Sequence, residues 1–287
     1  MRSVENELLC YTLNMSRGFN IGSMHITWYG IIVTCAILIA FMVGGYLCKR
    51  RGVADHVPFA VLLCVVPLAI FGARVWFVIF NPGTQLFDFS NGGFAGLAIH
   101  GGIMFGALGL FIYTRIKRVG FFTLCDIVVI VLILAHAIGR WGNFTNQEIY
   151  GLETSQQWFP FSIYISANGT WHLALFFYEF LLNIIGFTVL LYLFLKREVR
   201  GYKIRTGHIS AFYFIYTGIV RIILEPLRTS DHQMTLGSAP VSILTSIALV
   251  MLGIAILLLL RYNKISQNTD NIIKKETPQD ESKPTDG

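Results

Sequence analysis

Arg140, Asn143, Asn146 and Glu148 lie close together in the stretch Gly139-Arg140-Trp141-Gly142-Asn143-Phe144-Thr145-Asn146-Gln147-Glu148-Ile149-Tyr150-Gly151, directly after a long apolar run. Polar groups this dense at the end of an apolar segment must face one another, water or a polar ligand, because unpaired they are expensive to desolvate. The glycines permit sharp turns and close backbone approach. A second set stands at Arg221, Glu225 and Arg228. Residues four apart share a helical face, so Arg221 and Glu225 read either as a structural ion pair or, with Arg228 a turn further on, as part of an anion site. Three guanidiniums with amides suit phosphate, since the planar guanidinium fork donates two parallel hydrogen bonds to an oxyanion. His100, followed by Gly101-Gly102, has an ordinary pKa of about 6.5, suited to accepting a proton. Tyr29, beside Trp28, reads from composition alone as an interfacial anchor.

The elements that must position these groups are membrane helices. The chain has 287 residues, 54% of them hydrophobic and only 13% charged, against about 25% charged in soluble domains. Seven spans are expected: about Thr27 to Cys48, Val57 to Phe80, Ala95 to Tyr113, Phe122 to Gly139, Leu173 to Leu195, His208 to Leu224, and Pro240 to Leu260. Residues 1–25 read as an interfacial arm, 26–262 as one seven-helix domain, and 263–287 as a polar, disordered tail. No cleavable signal peptide is expected, because the first apolar run is long enough to span.

Lys and Arg cluster after spans one, three, five and seven (Lys49 to Arg51, Arg115 to Arg118, Lys196 to Arg205, and Arg261). The positive-inside rule then puts the N-terminus outside and the C-terminus in the cytoplasm. The same clustering explains the net charge of +6 without a nucleic-acid partner. The five cysteines have no metal-ligand spacing and form no disulfide framework. On insertion scales a charge within a span costs a few kcal/mol, so Arg74, Asp126, Arg140, Glu179, Arg221 and Glu225 each call for a partner. Asp126 reads as an interfacial acid near Arg115 to Arg118, and His136 as a packed histidine on the face of Arg140. No metalloprotease, nucleophile-elbow, phosphate-loop or dinucleotide motif is present. Chemistry built on Arg, His, Glu, Asn and Tyr within lipid points to a phospholipid substrate.

Residues 139–151 match every fixed position of G-R-x-[GA]-N-F-x-N-x-E-x-x-G, and in this the chain resembles the bacterial prolipoprotein diacylglyceryl transferase family. Trp28-Tyr29-Gly30, His100-Gly101-Gly102, Tyr178-Glu179, and Arg221 to Arg228 are similar to further family segments in the same order, over about residues 20 to 260. Two positions depart from the pattern. Thr27 stands where the family has histidine, and His172 is followed by Leu173 rather than proline and lies one residue too far from Tyr178.

The resemblance implies an all-α, seven-span bundle with its active site toward the outer face of the bacterial cytoplasmic membrane. It implies transfer of the diacylglyceryl group of phosphatidylglycerol to the lipobox cysteine of a prolipoprotein, with no metal or organic cofactor. Under it, His100, Arg140 and Arg221 are catalytic, and Tyr29, Asn143, Asn146, Glu148, Gly151, Glu225 and Arg228 join Arg140 in holding the lipid. His100 receives the thiol proton, Arg140 and Arg221 stabilise the leaving phosphate, and Glu148 and Glu225 orient the arginines. The competing classes are an inactive lipid- or prolipoprotein-binding relative, a transporter with an anionic site, and an intramembrane hydrolase. No inverted repeat supports the transporter, and no Ser-His or paired-Asp arrangement supports the hydrolase.

Overall fold

The computed structural model describes residues 18–22, 24–81, 83–87, 99–196, 198–199, 202–229, 235–236 and 239–263. The described residues contain seven long helices: α1 Trp28–Arg50, α2 Val57–Phe80, α3 Ile99–Lys117, α4 Phe121–Asn146, α5 Leu175–Lys196, α6 His208–Leu224 and α7 Val241–Asn263. All of these except α3 are, among the described residues, long and apolar enough to cross a membrane. Among the described residues the strands form only two-stranded antiparallel hairpins, so the fold is all-α: β1 Gly18–Ile21 with β2 Met24–Thr27, β3 Ser162–Ile165 with β4 Thr170–Leu173, β5 Glu198–Val199 with β6 Tyr202–Lys203, and β7 Thr235–Leu236 with β8 Ala239–Pro240.

The chain divides into two compact units, one of residues 1–40 with 129–262 and the other of 41–128 with 263–287. In the second unit α1 ends after Lys49 and Arg50, cations placed at the negative end of the helix dipole. Gly52, at φ 71°, closes that helix. Its N–H reaches the Lys49 carbonyl at 3.1 Å, and the Val53 N–H reaches the Cys48 carbonyl at 3.0 Å, a left-handed cap suited to glycine. Arg74, charged within α2, donates from Nε to the Leu86 carbonyl at 3.1 Å and from Nη2 to the Gln85 carbonyl at 2.6 Å. The following loop thus supplies the partners that the cost of a charge in a span calls for. Asp126 is 1% exposed, a buried group rather than one facing solvent.

The first unit carries Arg140, Arg221 and Arg228. Thr27, where the resembled family has histidine, caps α1: its Oγ1 accepts the Gly30 N–H at 3.1 Å. The first turn, with Tyr29, is therefore fixed by a hydroxyl. The fourth helix runs seven residues past its expected end at Gly139, so Arg140, Asn143 and Asn146 are helical rather than in a loop. Gly139 and Gly142 do not break it because the turn between them is held by packing. Trp141 lies edge-on to Phe176 and Phe180 of α5, at 5.6 and 5.5 Å between ring centroids. Phe144 lies 5.0 Å from Phe176. Trp141, Phe144 and Phe176 join Ile163, Ile165 and Ala174 in one apolar cluster, which locks the end of α4, the start of α5 and the β3–β4 hairpin together.

Candidate active site

The end of α4 sets the site's geometry. The Gln147 N–H bonds the Phe144 carbonyl at 3.1 Å and the Glu148 N–H bonds the Asn143 carbonyl at 3.0 Å. This is the same left-handed cap as at Gly52, here with Gln147 at φ 53°. A non-glycine residue pays steric strain of about 1–2 kcal/mol there. The Gln147 amide offsets it: Oε1 accepts the Ser166 N–H at 3.1 Å and Nε2 donates to Ser166 Oγ at 3.3 Å. The helix end is thereby tied to the residue that follows β3.

Inside this frame Glu179, 6% exposed, holds both arginines. Its Oε2 lies 2.5 Å from Arg140 Nη2 and its Oε1 lies 3.2 Å from Arg221 Nη1. Arg140 also donates from Nη1 to Asn143 Oδ1 at 3.3 Å. Its Nε is buried and has no acceptor among the described residues. Two guanidiniums on one carboxylate leave one net positive charge and, at Arg140 Nε, a buried donor to spare, in a medium where charge is poorly screened. Tyr29 closes one side, with its ring over Gly142. A Cβ at Gly142 would lie 2.7 Å from Tyr29 Cδ2, so glycine is needed for the ring to approach. Tyr29 also lies within electrostatic reach of Arg140, which places it beside the charge cluster as well as at the head of its span.

A backbone clamp adjoins the cluster. Gly151 donates its N–H to the Leu173 carbonyl at 2.9 Å, and Leu152 donates to the Leu227 carbonyl at 2.9 Å. Gly151 is also bridged to Arg228. Buried His172 pins the clamp. Its Nδ1 donates to the Gly151 carbonyl at 2.9 Å, and its Nε2 meets Thr170 Oγ1 at 2.8 Å. Arg228 follows the short 3-10 turn Glu225–Leu227. Burial first, and then the neighbouring Arg221, push its pKa below the usual arginine value, while Glu225 and Glu179 oppose the shift. Glu225 is itself 4% exposed.

Gly151 acts here as a packing position. A Cβ would stand 2.8 Å from the Leu227 carbonyl oxygen and 2.8 Å from Leu173 Cβ. Gly151→Ala is expected to lower stability by about 1–3 kcal/mol through overpacking. It should also displace Arg228 and reduce activity more than it reduces the melting temperature. Melting and activity measured on the same preparation check this.

Of the residues singled out from sequence, Arg140, Asn143, Arg221 and Tyr29 converge on the charge cluster, and Gly151 and Arg228 meet at the adjoining clamp. Asn146 and Glu148 pair with each other, Asn146 Nδ2 donating to Glu148 Oε1 at 3.1 Å. Glu179, rather than Glu148 or Glu225, is the carboxylate seen shared by Arg140 and Arg221, and it was absent from the expected site set. The signal for it was a lone acid at the start of a span, close to the expected depth of two arginines. His100 is the second residue of α3, and its side chain lies outside the described residues.

The arrangement is built to hold an oxyanion against a preformed positive cluster and to stabilise charge growing on it. The family described as prolipoprotein diacylglyceryl transferase matches residues 17–259. The chain is similar to a Finegoldia magna protein named phosphatidylglycerol–prolipoprotein diacylglyceryl transferase, with 34% identity over 253 residues, 86% of this chain and 95% of that one. A Listeria monocytogenes protein of the same name is 33% identical over 262 residues, covering 86% and 89% of the two chains. A Streptococcus uberis protein, again of that name, is 34% identical over 253 residues, covering 85% and 94%.

Proposed function

The chain belongs to the prolipoprotein diacylglyceryl transferase family, and we propose that it moves the sn-1,2-diacylglyceryl group of phosphatidylglycerol to the cysteine thiol of a prolipoprotein lipobox. The observation that carries this reading is the Arg140–Glu179–Arg221 cluster, with its surplus positive charge and the open Nε–H of Arg140. The thiol sulfur attacks the sn-3 carbon of the lipid glycerol. A carbon–sulfur bond forms, the carbon–oxygen bond to phosphate breaks, and glycerol phosphate leaves with the bonding electrons. Negative charge grows on the leaving oxygen, and the two guanidiniums stabilise it in a site poor in water. The thiol, ordinarily near pKa 8.5, must give up its proton. His100 is the residue we assign to receive it. Tyr29, Asn143, Arg228 and the Asn146–Glu148 pair surround the headgroup, and Gly151, Glu225 and Glu179 hold the arginines in place.

All seven helices cross the bacterial cytoplasmic membrane in this reading, as one transferase domain of residues 26–262 followed by a cytoplasmic tail. The basic residues following α1, α3, α5 and α7 support a cytoplasmic C-terminus and an outer N-terminus. Alternating span direction then puts the start of α1, the start of α3, the end of α4, the start of α5 and the end of α6 on the outer face. Tyr29, His100, Arg140, Glu179 and Arg221 belong to those ends.

Purified protein, phosphatidylglycerol and a lipobox peptide should give a peptide heavier by one diacylglyceryl group, with glycerol phosphate released in equal amount. His100→Gln should cut the rate at neutral pH by about 10²–10⁴-fold, the range for a general base, and flatten the rise of rate with pH. Lipid bound without peptide modification would sink the transferase reading. Near-normal turnover by His100→Gln would remove the base assignment alone.

A further inference from the structure

One helical turn toward the middle of α4, α5 and α6, the faces that carry the charge cluster carry polar groups again. His136 precedes Arg140 by four residues, Asn183 follows Glu179 by four, and Thr217 precedes Arg221 by four. A four-residue step keeps the face and advances about 6 Å along the axis. Thr217 is satisfied locally, its hydroxyl donating to the Tyr213 carbonyl at 2.8 Å. The other two are not. Asn183 is 9% exposed and lies on the same buried face of α5 as Glu179. Among the described residues its amide has no hydrogen-bond partner. Among the described residues His136 has none either; it is an exposed residue of α4, with Arg140, Glu179 and Arg221 all within electrostatic reach. A buried amide and an imidazole, each one helical turn from a member of the same charge cluster and neither with a partner among the described residues, are the signature of a polar subsite awaiting acceptors.

We propose that His136 and Asn183 form the subsite for the ester carbonyl oxygens of the diacylglyceryl group. This rests on the reading that phosphatidylglycerol is the donor. With its phosphate on Arg140 and Arg221, a diacyl lipid enters toward the bilayer centre, and its two ester carbonyls come one glycerol unit beyond the phosphorus. That is the level reached by a single helical turn. Ester carbonyls only accept hydrogen bonds, and the Asn183 Nδ2–H and an imidazole N–H supply two donors. A site that hydrogen-bonds a substrate group discriminates against the analogue lacking it. His136 and Asn183 therefore select ester-linked over ether-linked lipid, and act on affinity rather than on the bond-breaking step.

The full-length protein is compared with diester and diether phosphatidylglycerol of equal chain length, in direct binding to the detergent-purified protein and in transfer to a lipobox peptide. The wild type should favour the diester at least about tenfold in KM and in affinity, with similar kcat. Asn183→Leu and His136→Leu should each remove about fivefold of that preference, the worth of one net hydrogen bond, by raising the diester KM alone. His136→Gln keeps a donor and should restore most of it. Equal use of the two lipids by the wild type overturns the proposal, as does a parallel loss for both lipids in the variants. A His136→Leu effect confined to the pH profile also overturns it and makes the residue a proton carrier. If the wild type transfers neither lipid, the transferase reading fails, and the binding comparison still decides the subsite.

Discussion

Glu179→Gln is expected to destabilise the protein by about 3–5 kcal/mol, the usual cost of removing one partner from a buried ion pair, and to lower diacylglyceryl transfer at least about 100-fold. The glutamine keeps the volume of the side chain, so the loss isolates its charge. In the wild type one carboxylate, 6% exposed, accepts from both Arg140 and Arg221. Without it the cluster goes from one net positive charge to two, and an amide N–H faces a guanidinium. The two arginines then repel each other across the gap that substrate must fill. An added anion replaces the missing carboxylate in part, so phosphatidylglycerol should raise the melting temperature of Glu179→Gln more than that of the wild type. Thermal melting of both proteins, with and without lipid, decides the matter. A variant that melts like the wild type and gains nothing extra from lipid would show that Glu179 is not the element holding the arginines.

The same residue shows where the sequence stops being legible. Arg140 could be singled out because Asn143, Asn146, Glu148 and Gly151 lie beside it in the chain, and local spacing is what a sequence displays directly. The partnership of Glu179 with Arg221 crosses 42 residues. Helical periodicity assigns each of them a face, but it does not say which faces turn toward each other. The information that does so is distributed over apolar residues with no polar signature, the Trp141, Phe144, Phe176 and Phe180 rings that set α4 against α5. The end of α4 was hidden for a related reason. Glycines at 139 and 142 are ordinary signs of a helix stop, yet packing of Trp141 and the Arg140–Asn143 bond carry the helix through them. It ends instead at Gln147, a residue with no preference for left-handed backbone, held by a contact with Ser166 far along the chain. Apolar runs, by contrast, were long enough to fix the helices themselves within a few residues, because the bilayer thickness demands their length.

Arg140→Lys should lower kcat/KM for transfer about 100-fold, and Arg140→Ala about 1000-fold or more, although lysine keeps the charge. The expectation follows from the number of jobs given to one guanidinium. Nη2 meets Glu179, Nη1 meets Asn143, and Nε is left buried without an acceptor among the described residues. These three directions diverge from a planar group, so Glu179 and Asn143 fix the plane and thereby aim the free Nε–H. An ammonium on a flexible stem satisfies Glu179 or the substrate phosphate, but it does not reproduce the fork. Losing 100-fold corresponds to about 2.7 kcal/mol of transition-state stabilisation, within the range for one donor aimed at developing charge. Arg221→Lys should cost less, about tenfold, because Arg221 is 35% exposed and meets Glu179 through one nitrogen. Kinetics of the three variants at saturating and limiting phosphatidylglycerol separate these effects. A loss confined to KM would make Arg140 a binding group, whereas equal losses in kcat and kcat/KM place its free donor on the leaving oxygen in the transition state. An Arg140→Lys enzyme within threefold of wild type would show that charge alone suffices and that the aimed Nε–H contributes nothing to the reaction.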